Sequence, residues 1–237
     1  MQTTEGPPWY HATTVGLVNF APDLQDLHIA ILTSLLNRVN TVTGKRYADD
    51  PALAYIEVHN EDDIFFGYRK LPTCPTYKKY LDRQFSNWLL AKYGSREGLA
   101  KAWAGELKAS ERPEDRSVEA VLSFVEQGGD KSARIRDTYA FVYECQDAYY
   151  KRVVKAIRQT GYQGAICGSC GQAQTFLGHL YNVGSDREVG FIDRHNYGRT
   201  DMLSRPGRGL LSAGMQQVAD RPFHLSEWSG GGVFNGM

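Results

Sequence analysis

The sequence carries no surplus of either charge: 27 Lys and Arg stand against 27 Asp and Glu. That argues against nucleic acid or an anionic membrane as an electrostatic partner, because both select basic surfaces. No apolar run reaches the length of about 18 residues that a membrane-spanning helix needs. The first residues, Met1 to Pro8, have neither a basic region nor an apolar stretch, so no signal peptide is visible and the compartment stays open. No internal repeat or low-complexity tract is present. Cysteine is scarce, with Cys74, Cys145, Cys167 and Cys170. Cys167 and Cys170 have C-x-x-C spacing, but no second pair completes a zinc site, and the stretch is strand-like instead of opening a helix. They read as strand or loop thiols, with no metal or cofactor expected.

What is present is an ordinary globular composition, 42% hydrophobic over 237 residues, enough for one sizeable domain spanning 1–237. Fourteen Tyr, ten Phe and four Trp would serve a core first, and they also suit flat apolar ligands such as sugar rings.

Periodicity predicts a helix over 23–39, with Leu24, Leu27, Ile31, Leu35 and Val39 at helical spacing. A strand is expected over 54–60 and a long loop over 61–76. Helices are expected over 77–93, closed by Gly94, and from the Ser95 cap to Trp103. The polar stretch of about 105–131 reads as an excursion, with a short helix over 118–125. The longest helix is expected over 134–159 and another over 172–181. Strands are expected over 165–167, 189–193 and 221–226. Strands separated by helices predict parallel pairing with right-handed crossovers, an α/β fold.

Two segments carry the chemistry. Tyr55-Ile56-Glu57-Val58-His59-Asn60-Glu61 and Pro222-Phe223-His224-Leu225-Ser226-Glu227-Trp228 are short apolar runs that each reach a carboxylate. A glutamate at the end of a buried strand is costly to desolvate. Two of them on two strands suggest a carboxylate pair facing one cleft, the requirement of glycosidic bond hydrolysis. One carboxyl group protonates the leaving oxygen and the other attacks the anomeric carbon, so their environments must differ. Asn60 offers an amide to a sugar hydroxyl. His195 and Tyr197 are two apart and share a face if they lie on a strand. Trp228 is placed to form a wall under a sugar.

These segments together resemble the clan A glycoside hydrolases, retaining enzymes of (β/α)8 TIM-barrel type, and most of all family-five cellulase-like proteins. The first segment is similar to the clan's fourth-strand motif, which implies that Glu61 is the acid/base and Asn60 a substrate contact. Asp193-Arg194-His195-Asn196-Tyr197 resembles the sixth-strand H-x-Y motif, which implies that His195 and Tyr197 contact substrate and nucleophile. The second segment resembles the seventh-strand motif, which implies that Glu227 is the nucleophile. Phe85 to Gly94 is similar to the helix that follows strand four. The resemblance implies a carbohydrate substrate and no cofactor.

A barrel of this kind takes about 250 residues, and three βα units of roughly 30 residues or more should precede strand four. Only 53 residues precede Ala54 and ten follow Glu227. The expectation is therefore an incomplete barrel covering strands four to seven, with open sheet edges, poor solubility and weak activity on its own. Two other readings stand beside the hydrolase: a non-catalytic carbohydrate-binding or inactive barrel piece, and a thiol-dependent enzyme using Cys167 and Cys170.

Overall fold

A computed structural model of the chain describes residues 16–67, 74–121, 132–169, 176–196 and 220–228. Ten elements are used below. They are α1 (Pro22–Asn37), β1 (Tyr55–Glu57), α2 (Ile64–Gly67), α3 (Pro75–Tyr93), α4 (Arg96–Trp103), α5 (Ala133–Gln159), β2 (Ala165–Cys167), α6 (Phe176–Val189), β3 (Ile192–Asn196) and β4 (Phe223–Trp228).

All strand pairing between these elements is parallel. β1 pairs with β2 and β3 with β4, and an isolated parallel bridge between Cys167 and Phe191 joins the two pairs. The four strands therefore lie in chain order, with α2 to α5 between β1 and β2 and α6 between β2 and β3. They also curl. Tyr55 of β1 meets His224 of β4 with ring centroids 5.6 Å apart, and both rings pack edge-on to Phe191. Strands three places apart in a flat sheet would be roughly 14 Å distant. The expected α/β class with parallel strands is observed. The barrel type itself is not shown, because the described residues form two two-stranded sheets and no closed cylinder.

The long helix α5 carries the core. Tyr139, Phe141, Val142, Tyr149, Tyr150, Val153 and Ile157 recur at helical spacing and are buried. They meet Leu81, Phe85 and Leu89 of α3 and Leu99 and Trp103 of α4 in one cluster. Ser132 caps α5 by accepting the Ile135 amide, and Ser95 caps α4 by accepting the Gly98 amide. Among the described residues no helix is long and apolar enough to cross a membrane.

Several sequence expectations need correction. The predicted apolar stripe of α1 faces outward: Leu27, Ile31, Leu35 and Val39 are exposed, and only Leu24 of that set is buried. Burial follows Leu36, with Ile29 and Leu32 packed against the core, a line rotated by roughly a quarter turn. The supposed excursion is anchored over 105–121. Val118 and Ala120 are buried, Val118 exchanges backbone hydrogen bonds with Ser86 Oγ, and Glu111 forms a buried ion pair with Arg134 at 2.5 Å. Residues 118–121 are not helical, because the amides of Val118, Ala120 and Val121 go to Ser86, Asp82 and Thr138 side chains, and the rest of the expected 118–125 helix lies outside the described residues. The 61–76 loop contains α2 and the start of α3. Helix α6 runs on to Val189, which moves the next strand from 189–193 to Ile192–Asn196.

Candidate active site

The backbone leaving β1 follows the backbone leaving β2. Val58 donates to both Cys167 O and Gly168 O at 3.1 Å, and Glu61 donates to Ser169 O at 2.7 Å. Glu61 therefore sits in a turn four residues beyond β1 and not on the strand itself. Its φ of +46° is a left-handed value that a non-glycine residue holds only when neighbours compel it. The Ser169 carbonyl is one such neighbour. Ser169 is fixed in turn by Asp63, whose Oδ2 accepts from Ser169 Oγ at 3.3 Å and from Asn182 Nδ2 at 3.1 Å.

Across the arc, His195 of β3 is fully buried and Glu227 of β4 is partly exposed. His195 Nδ1 lies 2.7 Å from Glu61 Oε1 and 3.5 Å from Glu227 Oε2. One oxygen from each glutamate and one ring nitrogen of His195 all lie within 4.8 Å of one another. With the proton on Nδ1, His195 donates to Glu61 and faces Glu227, so one buried imidazole spaces two carboxylates. The same three donors are of the kind that a divalent cation takes. The 2.7 Å contact is an ordinary hydrogen-bond length.

The structure thus brings together Glu61, His195 and Glu227. Asn60 is exposed in the turn before Glu61. The backbone of Trp228 pairs with Asn196. Tyr197 and Cys170 lie outside the described residues. Cys167 is buried and its thiol is free, while burial pushes the Cys145 thiol up to about 12. The thiol-enzyme reading rests on Cys167 and Cys170, and the second of these lies outside the described residues.

Sequence reasoning missed the layer beneath the glutamates. Asp186 of α6 and Arg194 of β3 form an ion pair at 2.7 Å with 1% and 0% side-chain exposure. The Gly168 backbone passes against this pair. A Cβ there would lie 2.0 Å from Asp186 Oδ1. Gly168→Ala is therefore expected to destabilise the protein by about 1–3 kcal/mol through overpacking. It should also lower activity, because Ser169 next to it holds Glu61. Chemical denaturation checks the first expectation, and an unchanged midpoint would contradict it. His59 was also missed. Its Nε2 contacts Tyr150 OH at 3.2 Å, and its ring packs edge-on against Tyr149 and Tyr150.

His28 and His59 share a cavity of about 150 Å³ with Asp62 and the apolar side chains of α1. Burial, with His59 nearby, lowers the His28 pKa from 6.5 to about 4. The unfolded chain therefore binds this proton more readily between those values. His28 adds no penalty above pH 6.5 and an increasing one as pH falls toward 4. Thermal unfolding midpoints should fall over that window, and His28→Gln should flatten the fall. Equal slopes for the two proteins would contradict the burial of His28.

Comparison with known proteins places the fold. No family model matches the sequence, and no curated protein is significantly similar to it. Among the solved structures that share its fold are three that align over 89% of this chain. One is described as an agarase, at TM-score 0.55 and 16% identity, with 28% of its length covered. A second is described as an exo-β-agarase, at TM-score 0.59 and 13% identity, with 27% covered. The third is PfGH50B, at TM-score 0.57 and 14% identity, with 29% covered. The present chain spans less than a third of each of these proteins. At these identities the likeness is one of fold, shared with glycoside hydrolases and not specific to the family-five group that the motifs resemble.

Proposed function

We propose that this protein is a retaining glycoside hydrolase that cleaves O-glycosidic bonds in a β-linked polysaccharide or oligosaccharide, with agar-type galactan as its substrate class. One observation carries the reading. Glu61, in the turn after β1, and Glu227, on β4, present carboxylate oxygens within 4.8 Å of one another. Retaining enzymes hold their carboxyl groups about 5–5.5 Å apart, whereas inverting enzymes leave roughly 6.5–9.5 Å for a water molecule. The fold shared with two agarases supports the substrate class, and the curl of β1 to β4 supports an arc of a (β/α)8 barrel.

The mechanism is a double displacement. The Glu227 carboxylate attacks the anomeric carbon while the bond from that carbon to the leaving oxygen breaks. Glu61 gives its proton to that oxygen. In the second step Glu61 takes a proton from water, the water oxygen attacks the anomeric carbon, and the bond to Glu227 breaks. His195 holds the two carboxylates at working distance. Asn60, Tyr197 and Trp228 are assigned to substrate contact, and the chemistry calls for no cofactor.

The test is release of reducing ends from agarose, with cellulose, mannan and xylan as comparisons. Release from agarose is expected, and release from another β-linked polysaccharide alone would overturn the substrate class. A folded protein that releases nothing from any of them would overturn the hydrolase. Binding of an agaro-oligosaccharide without hydrolysis would support the binding-only alternative.

A further inference from the structure

We infer that Asp193 is a positioning residue: its carboxylate holds open a one-residue bulge in β4, and that bulge sets Glu227 beside His195. The inference rests on the proposed hydrolase reading only for its effect on turnover.

The register shows what the bulge does. The ladder between β3 and β4 begins regularly, with Ile192 opposite Phe223, Asp193 opposite His224 and Arg194 opposite Leu225. An unbroken ladder would next pair His195 with Ser226 and Asn196 with Glu227. Side chains alternate faces along a strand, so Glu227 would then point to the opposite face from His195. Instead the register shifts after Arg194, and His195 stands opposite Glu227. Ser226 is the extra residue. Bulges in parallel pairs are rare, and each leaves a residue outside the ladder whose polar groups need another partner.

Asp193 supplies that partner. Its Oδ1 accepts the Ser226 amide at 2.9 Å and the Arg194 amide at 2.8 Å. The residue is 1% exposed, and a carboxylate is costly to bury unless its hydrogen bonds repay the loss of water. His224 of β4 also approaches this carboxylate, its Nδ1 3.4 Å from the same oxygen with its side chain 46% exposed, and Glu227 is the other titratable group on the strand. A surface imidazole of this kind contributes little. With an apolar residue at 193, the Ser226 amide has no acceptor in the bulge. The ladder can then recover that hydrogen bond by slipping one residue, which turns Glu227 away from His195 and Glu61.

The test compares Asp193→Ala, Asp193→Asn and His224→Ala with the native protein. Asn keeps an Oδ1 acceptor, and Ala does not. In the native protein the Ser226 amide should be strongly protected from hydrogen exchange. With an activated aryl glycoside, Asp193→Ala should lower kcat about 100-fold with KM held within about threefold, the signature of a misplaced reacting group. Asn should restore kcat to within about tenfold of native, and His224→Ala should leave both parameters unchanged. An unprotected Ser226 amide in the native protein would overturn the inference, as would an Asn variant as impaired as Ala. If Asp193→Ala does not fold, the exchange measurement and the Asn variant decide the matter. If the native protein hydrolyses nothing, the proposed function fails, while Ser226 protection still decides the role of Asp193.

Discussion

Glu227→Gln should lower turnover by about four orders of magnitude or more, and Glu61→Gln should do so on natural substrate. A loss of that size is about 5 kcal/mol of transition-state stabilisation. The two variants should part company on synthetic substrates. A good leaving group departs without a proton, so the first step of Glu61→Gln recovers. Added azide then takes over the second step, because it attacks without a base to deprotonate it. Glu227→Gln lacks the attacking oxygen and gains from neither change. The reason for the difference is geometric: in the proposed mechanism both carboxylates border one anomeric carbon, but only Glu227 is on the face opposite the leaving group. Identical responses of the two variants to leaving group and azide would contradict the division of roles.

The largest stability effect is expected at Asp186. Its carboxylate and the Arg194 guanidinium are both buried. Asp186→Ala leaves the cation without its partner in a water-poor interior, a change that costs about 3–5 kcal/mol. Total stability of a domain is of order 5–15 kcal/mol, so this one substitution removes a large share. Replacing both members, Asp186→Leu with Arg194→Met, should recover most of the loss, since the desolvation of the pair is then also removed. A further expectation concerns Gly168, whose missing Cβ makes room for Asp186 Oδ1. Gly168→Ala should cost less in the Asp186→Ala background than alone, because the clash is gone. Strict additivity in urea denaturation would mean that the two positions do not share space.

The sequence made some of this legible. The helices α3, α4 and α5 are long or well capped, with apolar residues at helical spacing, and their boundaries fall within two residues of expectation. The strand over 165–167 was read as it stands, since Ala165-Ile166-Cys167 is a short apolar run between turn residues. α1 misled because its regular i, i+4 stripe is not the line that packs against α5. Periodicity counts apolar residues but does not say which face meets a neighbour. The 105–121 segment misled through polarity, because its charges are spent internally, on Arg134 to Glu111 and Lys108 to Glu119.

At the site, the glutamates and His195 stood out in the sequence because carboxylates and an imidazole in strand-like runs are unusual. The supporting residues did not. Asp63, Asp186, Asp193 and Arg194 look like ordinary surface charges in the sequence, and only the fold reveals that all four are buried. The turn conformation of Glu61 and the bulge at Ser226 leave no local signature either, since both arise from contacts between distant strands.

The pairing of Glu61 with Glu227 in one retaining reaction is tested most directly by following the anomeric configuration of the first product by proton NMR. Hydrolysis through a covalent intermediate on Glu227 releases the β-anomer first, with the α-anomer appearing only as the sugar equilibrates. Initial appearance of the α-anomer would mean that water attacks directly, and the double displacement at these two carboxylates would be wrong.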